Sequence, residues 1–498
     1  MNTIIAAPRS DAARERAIIL VCVFAALAVG AFGALGAEQS VATILVACVF
    51  GVAALILPLS WVALALAALI PLQLYFPFAG ALNLRGALMF VAVAALRVFV
   101  VRAIGRDWRS LRSLPWIIPA ALFIFAALVA AVTAFNRYEA LKGIYLWLPI
   151  FATAFVIGEI VHAEQLAEQI VVVLIGAGVG EALLGLIQTV FDVPRVISIL
   201  QLPISSLVYQ PNLLRDRLAD LSFNWIFNER VLSFGTFINN IDYAIFLAAI
   251  LTLVLALLLG EEQTTANHRP LTASRYLPAL ILFISAILLG AALLQTIKGS
   301  GILALAGGIG AIALLYAPRL SPRLLALGAL GCVAALIFAA LFYGDIAARV
   351  LFLAQREEGA ISVAGRVTTW IQLLGFLAER PLFGFGLNNT TWLLDWIPSL
   401  SGGAFVLNTA TPESAYIAAL VETGIVGFVA LMLFVLVVLV RAYRNVQAAR
   451  APAFDIGLGA AVVAILCGSL TVVGLTTDQN GMLLGALIGL IFSSTNSR

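Results

Sequence analysis

The sequence predicts an all-α, polytopic transmembrane bundle, and three observations predict it. Hydrophobic residues make up 63% of the 498 and charged ones 11%, with a mean hydropathy of +1.10, more apolar material than a soluble domain can bury. Apolar runs of bilayer length recur from Ala17 to Phe492, which gives about 12 to 14 spans at roughly 20 residues each. No stretch between them is long enough to form a separate soluble catalytic domain, so the bundle itself carries the function.

The opening MNTIIAAPRSDAARERA places Arg9, Arg14 and Arg16 before the first apolar run. No small-residue cleavage site follows, and the run reads as a retained first helix. Cys22, Cys48, Cys332 and Cys467 all lie inside apolar runs, which makes them packing residues rather than a disulfide framework. His162 and His268 fall in loops with no Cys or His at ligand spacing, so neither a metal nor any other cofactor is expected. A net charge of +3 and a pI near 8.7 are ordinary for basic membrane loops and leave no footprint for nucleic acid.

Sidedness follows from the arginines. RVFVVRAIGRDWRSLRS sets Arg97, Arg102, Arg106, Arg109 and Arg112 against Asp107 alone, which makes it cytoplasmic by the positive-inside rule. Alternation then places EEQTTANHRPLTASR, APRLSPR, RAYRNVQAARAPAFD and both termini on the same side. The predicted organisation is N-terminal spans in 1–190, an outer loop in 191–240, central spans in 241–343, a larger outer loop in 344–413 and C-terminal spans in 414–498. Loops this long tend to carry function. They hold Arg195, Arg215, Arg217, Arg230, Arg349, Arg356, Arg366 and Arg380, and shorter outer turns add Arg85, Arg137, Lys142 and Lys298. Singly these read as solvated or snorkelling side chains; clustered, they read as a site for an anion.

Acids within or near the spans are few: Glu181, Glu422, Asp242 and Asp478. An ionisable group in a membrane is a functional candidate by default, and an interhelical hydrogen bond is the competing reading for Glu181 and Glu422. Neither a repeat of solenoid length nor a duplicated half with Gly/Pro-broken helices is seen, which speaks against an inverted-repeat transporter.

Three stretches stand out in the second half: RVLSFGTFINNIDYAIFLAAI from Arg230, TIKGSGILALAGGIGAI with Lys298 and Gly299, and GRVTTWIQLLGFLAERPLFGFGLNN leading on to TPESAYIAALVETGIVG. Their order and sidedness resemble the O-antigen ligase and polymerase superfamily, whose members carry a basic residue near a Gly-Thr-Phe-x-Asn helix entry, a Ser-Arg-Gly entry, a Pro-Leu-x-Gly-x-Gly turn and a His-Asn-x-Tyr-Leu entry. The resemblance covers Arg230 to Gly427. It implies a glycosyltransferase C-like membrane fold and inverting, metal-independent glycosyl transfer on the periplasmic face of the bacterial inner membrane, from a polyprenyl-diphosphate-linked oligosaccharide.

On that resemblance Arg230, Lys298 and Arg366 are the candidates for binding the donor diphosphate, for which arginine's planar fork is suited. Glu413 stands where related enzymes have His, and Ser414 where they have Asn, so Glu413 is the candidate base. Arg85, Arg137, Asn239 and Tyr416 are candidate acceptor or glycan contacts. With the His missing, the expectation leans to a polymerase of O-antigen or exopolysaccharide repeat units, working among membrane lipids beside a repeat-unit flippase and a chain-length regulator. Ligation to lipid A core is the alternative within the enzyme class, a flippase or small-solute transporter the alternative outside it, and an idle assembly partner a third.

Helical phase along this stretch, at about 100° per residue, places Glu413, Tyr416, Leu420, Gly424 and Gly427 on one face and Glu422 nearly opposite. On this reading the two carboxylates are not a pair, and Gly424 and Gly427 serve close helix packing. In AGRVTTWIQLLGFLAER, Val367, Trp370, Leu373, Leu374 and Leu377 recur at helical spacing, consistent with an interfacial cover over the site or with a helix packed on the bundle.

Overall fold

The computed structural model describes residues 49–72, 75–78, 82–104, 114–191, 226–227, 230–231, 233, 235–237, 239–265, 273–296, 298–316, 366, 369–390, 392–393, 412–448 and 453–493. The helices are α1 (Leu59–Leu69), α2 (Gly86–Ile104), α3 (Ile117–Val132), α4 (Arg137–Glu164), α5 (Ala167–Phe191), α6 (Asn240–Thr265), α7 (Ala273–Thr296), α8 (Gly299–Tyr316), α9 (Ala415–Ala448), α10 (Ala453–Gly468) and α11 (Asp478–Ser493). Six of them, α4 to α9, are long and apolar enough to cross a membrane, and α1, α3, α10 and α11 are shorter apolar helices. The chain is thus a multi-pass helical membrane protein. Residues 1–48, 317–365 and most of both expected long loops, with the remaining spans, lie outside the described residues.

Two small antiparallel ribbons interrupt the all-α expectation. Tyr75–Phe78 (β1) pairs with Leu82–Arg85 (β2), and Ile226–Phe227 (β3) pairs with Arg230–Val231 (β4). Each sits beside a helix entry, where a ribbon satisfies backbone groups that a helix has not yet taken up.

Helix α6 is the hub. Residues Tyr243 to Ile250 are all buried, and the helix packs against α7, α8 and α10. Its sequence is apolar all round rather than along one stripe, as a helix surrounded by others requires. The tightest pairing is between α4 and α11. Gly481, Gly485 and Gly489 recur every four residues along α11, and a Cβ on Gly489 would lie 2.8 Å from the Gly158 nitrogen. Small residues let the two backbones touch where lipid offers no hydrophobic drive between helices.

The bundle has two chemically different ends. At one, Arg102 forms a 2.9 Å ion pair with buried Glu159, and Arg97 donates to the carbonyls of Ala54 and Leu57 at 2.9 and 2.6 Å. The other gathers the starts of α4, α6, α8, α9 and α11 with the ends of α1, α3, α5, α7 and α10, tied by hydrogen bonds. Ala415 N–H reaches the carbonyls of Ser469 and Val472, Asn480 Nδ2 that of Asp242, Thr236 Oγ1 that of Pro71, and Ser233 N–H that of Gln295. Glu413 lies at this second end.

Candidate active site

Where α8 and α9 begin, an Arg366–Glu413 ion pair lies close enough to Lys298 for both of its charges to act on the ammonium. Lys298 stands at the entry of α8, its N–H 3.4 Å from Thr296 Oγ1 and its carbonyl accepting from Ile302. Arg366 comes from the amphipathic stretch before residues 369–377, and its Nε is ion-paired with Glu413 Oε2. Burial, reinforced by the nearby Arg366 guanidinium and partly offset by the Glu413 carboxylate, pulls the Lys298 ammonium down to about 8. Arg366 and Glu413 are each about a quarter exposed, enough for a ligand to reach the pair.

Arg366 and Trp370 are four residues apart and therefore on one helical face. Trp370 Nε1 donates to the Pro412 carbonyl at 2.7 Å, so both side chains grip the Pro412–Glu413 turn. The sequence shows the i, i+4 spacing but not what it holds. Leu373 from the same segment is buried against Phe385, Leu393 and Val421, which seats the segment on the bundle. Leu374 is exposed, and Val367 lies outside the described residues.

Glu413 does not belong to the helix that follows it. Its φ is +44°, in the left-handed region, and α9 starts at Ala415 with Ser414 Oγ 3.5 Å from the Ile417 N–H. The shared face expected for Glu413 with Tyr416, Leu420, Gly424 and Gly427 is therefore corrected: helical phase cannot be carried back through a non-helical residue. A left-handed glutamate costs about 1–2 kcal/mol and persists only when its surroundings fix it. Here Arg366 and the Trp370–Pro412 bond do so.

Helix α9 is broken within its first three turns. Gly424 has φ +65° and ψ −172°, a conformation open only to glycine, and the turn 381–386 occupies the break. The N–H groups of Phe385 and Gly386 donate to the carbonyls of Val421 and Glu422, and those of Ile425 and Val426 donate to the carbonyls of Pro381 and Leu382. The broken helix thus recovers its backbone hydrogen bonds from the turn, as a membrane setting demands. A Cβ on Gly424 would collide with Leu382, and one on Gly384 with Val421 and Glu422. Close approach was expected of Gly424, but against a helix; it is made to a turn, in a chain where no broken helix was anticipated.

Glu422 holds that turn. Thr390 donates to its Oε1 from the backbone at 3.2 Å and from Oγ1 at 2.6 Å, with the Asn388 and Asn389 amides beside the same carboxylate. In turn Asn388 donates to Glu139, and Asn389 bonds both backbone groups of Asn136, the N-cap of α4. Arg380 donates to the Thr133 carbonyl and lies 5.1 and 4.9 Å from the ring centres of Phe135 and Phe385, so this arginine fastens the turn to α3. A cavity of about 220 Å³ opens between the turn, α4 and α9, lined by Trp147, Asn388, Thr390, Pro412, Ala415 and Glu422 among others. It is smaller than the roughly 300–1,000 Å³ typical of drug-sized ligands, and Pro412 links it to the Glu413 mouth.

The remaining candidates are more scattered. Arg230 lies in β4, which touches α5; its side chain and that of Arg85, at the end of β2, lie outside the description. Asn239 caps α6, its Oδ1 accepting from the Ile241 N–H at 3.0 Å. Tyr416 donates to the Leu466 carbonyl at 2.9 Å, so its hydroxyl ties α9 to α10. Arg137 is exposed at the first position of α4. Among the described residues no group of three or more His, Cys, Asp or Glu is placed to hold a metal.

Among proteins of curated function, none is significantly similar to the chain. One family does match, described as O-Antigen ligase, over residues 284–432. The matched segment runs from α7 to the middle of α9 and contains Lys298, Arg366 and Glu413 together with the broken helix. Over residues 284–432, and there alone, the chain is thus similar to the O-antigen ligase family.

Proposed function

We propose that the protein is a membrane glycosyltransferase that polymerises polyprenyl-diphosphate-linked oligosaccharide repeat units on the periplasmic face of a bacterial inner membrane. The observation that carries this reading is the meeting of Lys298, Arg366 and Glu413 at the end of the bundle opposite Arg97 and Arg102. A lipid diphosphate presents its charge at headgroup level with its tail in the bilayer. Two cations there, with Arg230 as a third, would bind it and stabilise the added charge as the diphosphate leaves.

The Arg366–Glu413 pair gives the reaction an order. With no donor bound, Arg366 is engaged by Glu413. A donor diphosphate, carrying more charge than one carboxylate, draws Arg366 to itself and releases Glu413. The freed carboxylate then takes the proton of the acceptor hydroxyl as its oxygen attacks the anomeric carbon. The bond from that carbon to the phosphate oxygen breaks on the opposite face, the configuration inverts, and the diphosphate leaves against Lys298 and Arg366. The cavity beneath Pro412 lies beside this mouth, where the acceptor sugar has to enter.

The matched family's description favours a second reading, transfer of a finished glycan to a lipid A core sugar. Reconstituted protein supplied with purified polyprenyl-diphosphate repeat units separates the two: a ladder of products is expected for a polymerase. Single units persisting until a core acceptor is added, followed by one step of transfer, would establish ligation. Ion-coupled uptake into proteoliposomes with no glycan transfer would instead establish transport.

A further inference from the structure

Glu181 is an ionisable residue buried in α5, remote in sequence from Lys298, Arg366 and Glu413. Its carboxylate meets the loop that enters α6. Thr236 donates to Oε2 from its N–H at 2.8 Å, and Thr236 Oγ1 lies 2.9 Å from Oε1. The residues one and two turns further along the same face serve the same loop. A Cβ on Gly185 would collide with Ser233 and Tyr243, and Gln188 donates to the Gly235 carbonyl at 2.6 Å. Positions 181, 185 and 188 follow helical spacing, so one face of α5 is built to receive Ser233, Gly235 and Thr236. Gly235 completes the fit: its φ is +56°, and a Cβ there would strike Glu181 Oε2.

The loop also reaches the anion-binding end. Ser233 N–H donates to the Gln295 carbonyl at 3.4 Å, three residues before Lys298, and Arg230 lies three residues before Ser233 in β4. Loops on their own are mobile on fast timescales, and an arginine must be held to bind diphosphate with a fixed geometry. We propose that Glu181 is a positioning residue for the donor diphosphate: its clamp on Thr236 fixes the backbone that bonds Gln295 through Ser233, three residues before Lys298. This rests on the diphosphate-binding role given above to Arg230 and Lys298.

Hydrogen-bond stoichiometry specifies the form of the clamp. Thr236 Oγ1 is also 2.8 Å from the Pro71 carbonyl, which can only accept, and a hydroxyl has one hydrogen to give. With that hydrogen on Pro71, Glu181 bonds Thr236 Oγ1 by donating its own proton. A neutral Glu181 can be replaced by glutamine, whose amide also accepts from the Thr236 N–H and donates to Oγ1.

The test compares Glu181→Gln, Glu181→Ala and Thr236→Val in the full-length protein in nanodiscs. Two readouts are taken: binding of polyprenyl diphosphate, and hydrogen exchange of amides 233–237. Glu181→Ala and Thr236→Val are expected to weaken binding about tenfold, a difference of one 1.36 kcal/mol step, and to speed exchange in the loop. Glu181→Gln is expected to match the wild type in both. Wild-type binding in Glu181→Ala, with the loop still protected, overturns the clamp. Glu181→Gln behaving like Glu181→Ala shows that the charge itself acts, and overturns it equally. If the wild-type protein binds no polyprenyl diphosphate, the proposed function falls, and the exchange comparison alone decides whether Glu181 holds the loop.

Discussion

Glu413 and Glu422 stand nine residues apart on either side of the first turns of α9, and they are held by opposite means. Glu413 lies outside the helix in a left-handed conformation, partly exposed and ion-paired with Arg366. Glu422 lies inside it, buried, and accepts hydrogen bonds from Thr390, just after the turn that mends the break at Gly424. A partly exposed ion pair at a solvent-reachable mouth can exchange a partner for an incoming charged ligand. A buried carboxylate surrounded by fixed donors has nothing to gain by letting go. The difference teaches that an acid in or beside a membrane helix must be read by what it bonds, since composition makes these two look alike.

The largest effect is expected at Glu413. Glu413→Gln is expected to lower the transfer rate by about 10²–10⁴, the range of a general base, with the thermal midpoint little changed; full activity in this variant removes Glu413 from the proton transfer. Next comes Gly424→Ala, which forces an alanine into a conformation costing about 1–3 kcal/mol and pushes Leu382 out of the break. A lowered thermal midpoint and the loss of protection in amides 384–386 are expected, and an unperturbed melt would show that the turn does not stabilise the helix.

At Lys298 the expected effect is about tenfold per pH unit. The ammonium is present below about 8 and lost as pH rises through that value, so kcat/KM for the donor falls over this range. Lys298→Arg, which stays charged, shifts the fall upward; an unmoved profile assigns it to another group. For folding the sign is opposite. Because the folded value lies below the ordinary 10.5, burying Lys298 is unfavourable at neutral pH, and this cost fades between about 8 and 10.5. The smallest effect is at Glu422, where Glu422→Gln keeps an acceptor for Thr390 and is expected to cost about 1 kcal/mol with activity close to wild type. A large loss of activity there would place Glu422 in the chemistry and erase the contrast with Glu413.

Much of the bundle was legible in the residues. Apolar runs of bilayer length marked a membrane bundle, and the arginines of RVFVVRAIGRDWRSLRS marked one end of the molecule, because hydrophobicity and charge are properties of composition. The order of the motifs suggested that Arg230, Lys298 and Arg366 converge near Glu413; in the structure Arg366 pairs with Glu413 and Lys298 feels both charges, while the Arg230 side chain lies outside the described residues. The α5 face of Glu181, Gly185 and Gln188 was visible as a spacing, but its occupant, a loop some fifty residues later, was not. Nor was the broken α9: Gly424 has the same neighbours in sequence as a glycine that merely packs.

That the chain enters a membrane as helices follows from the residues alone, since apolar runs of bilayer length must satisfy their backbone groups internally. Charge placement determined which ends of those helices differ. Only the tertiary structure decided how two carboxylates in one short stretch were used. That depended on a turn about forty residues upstream inserting into α9 at Gly424, and on Arg366 and Trp370 reaching back to the residues just before the helix. Such choices rest on contacts between distant segments and on the sign of φ at Glu413 and Gly424, neither of which is a property of local composition.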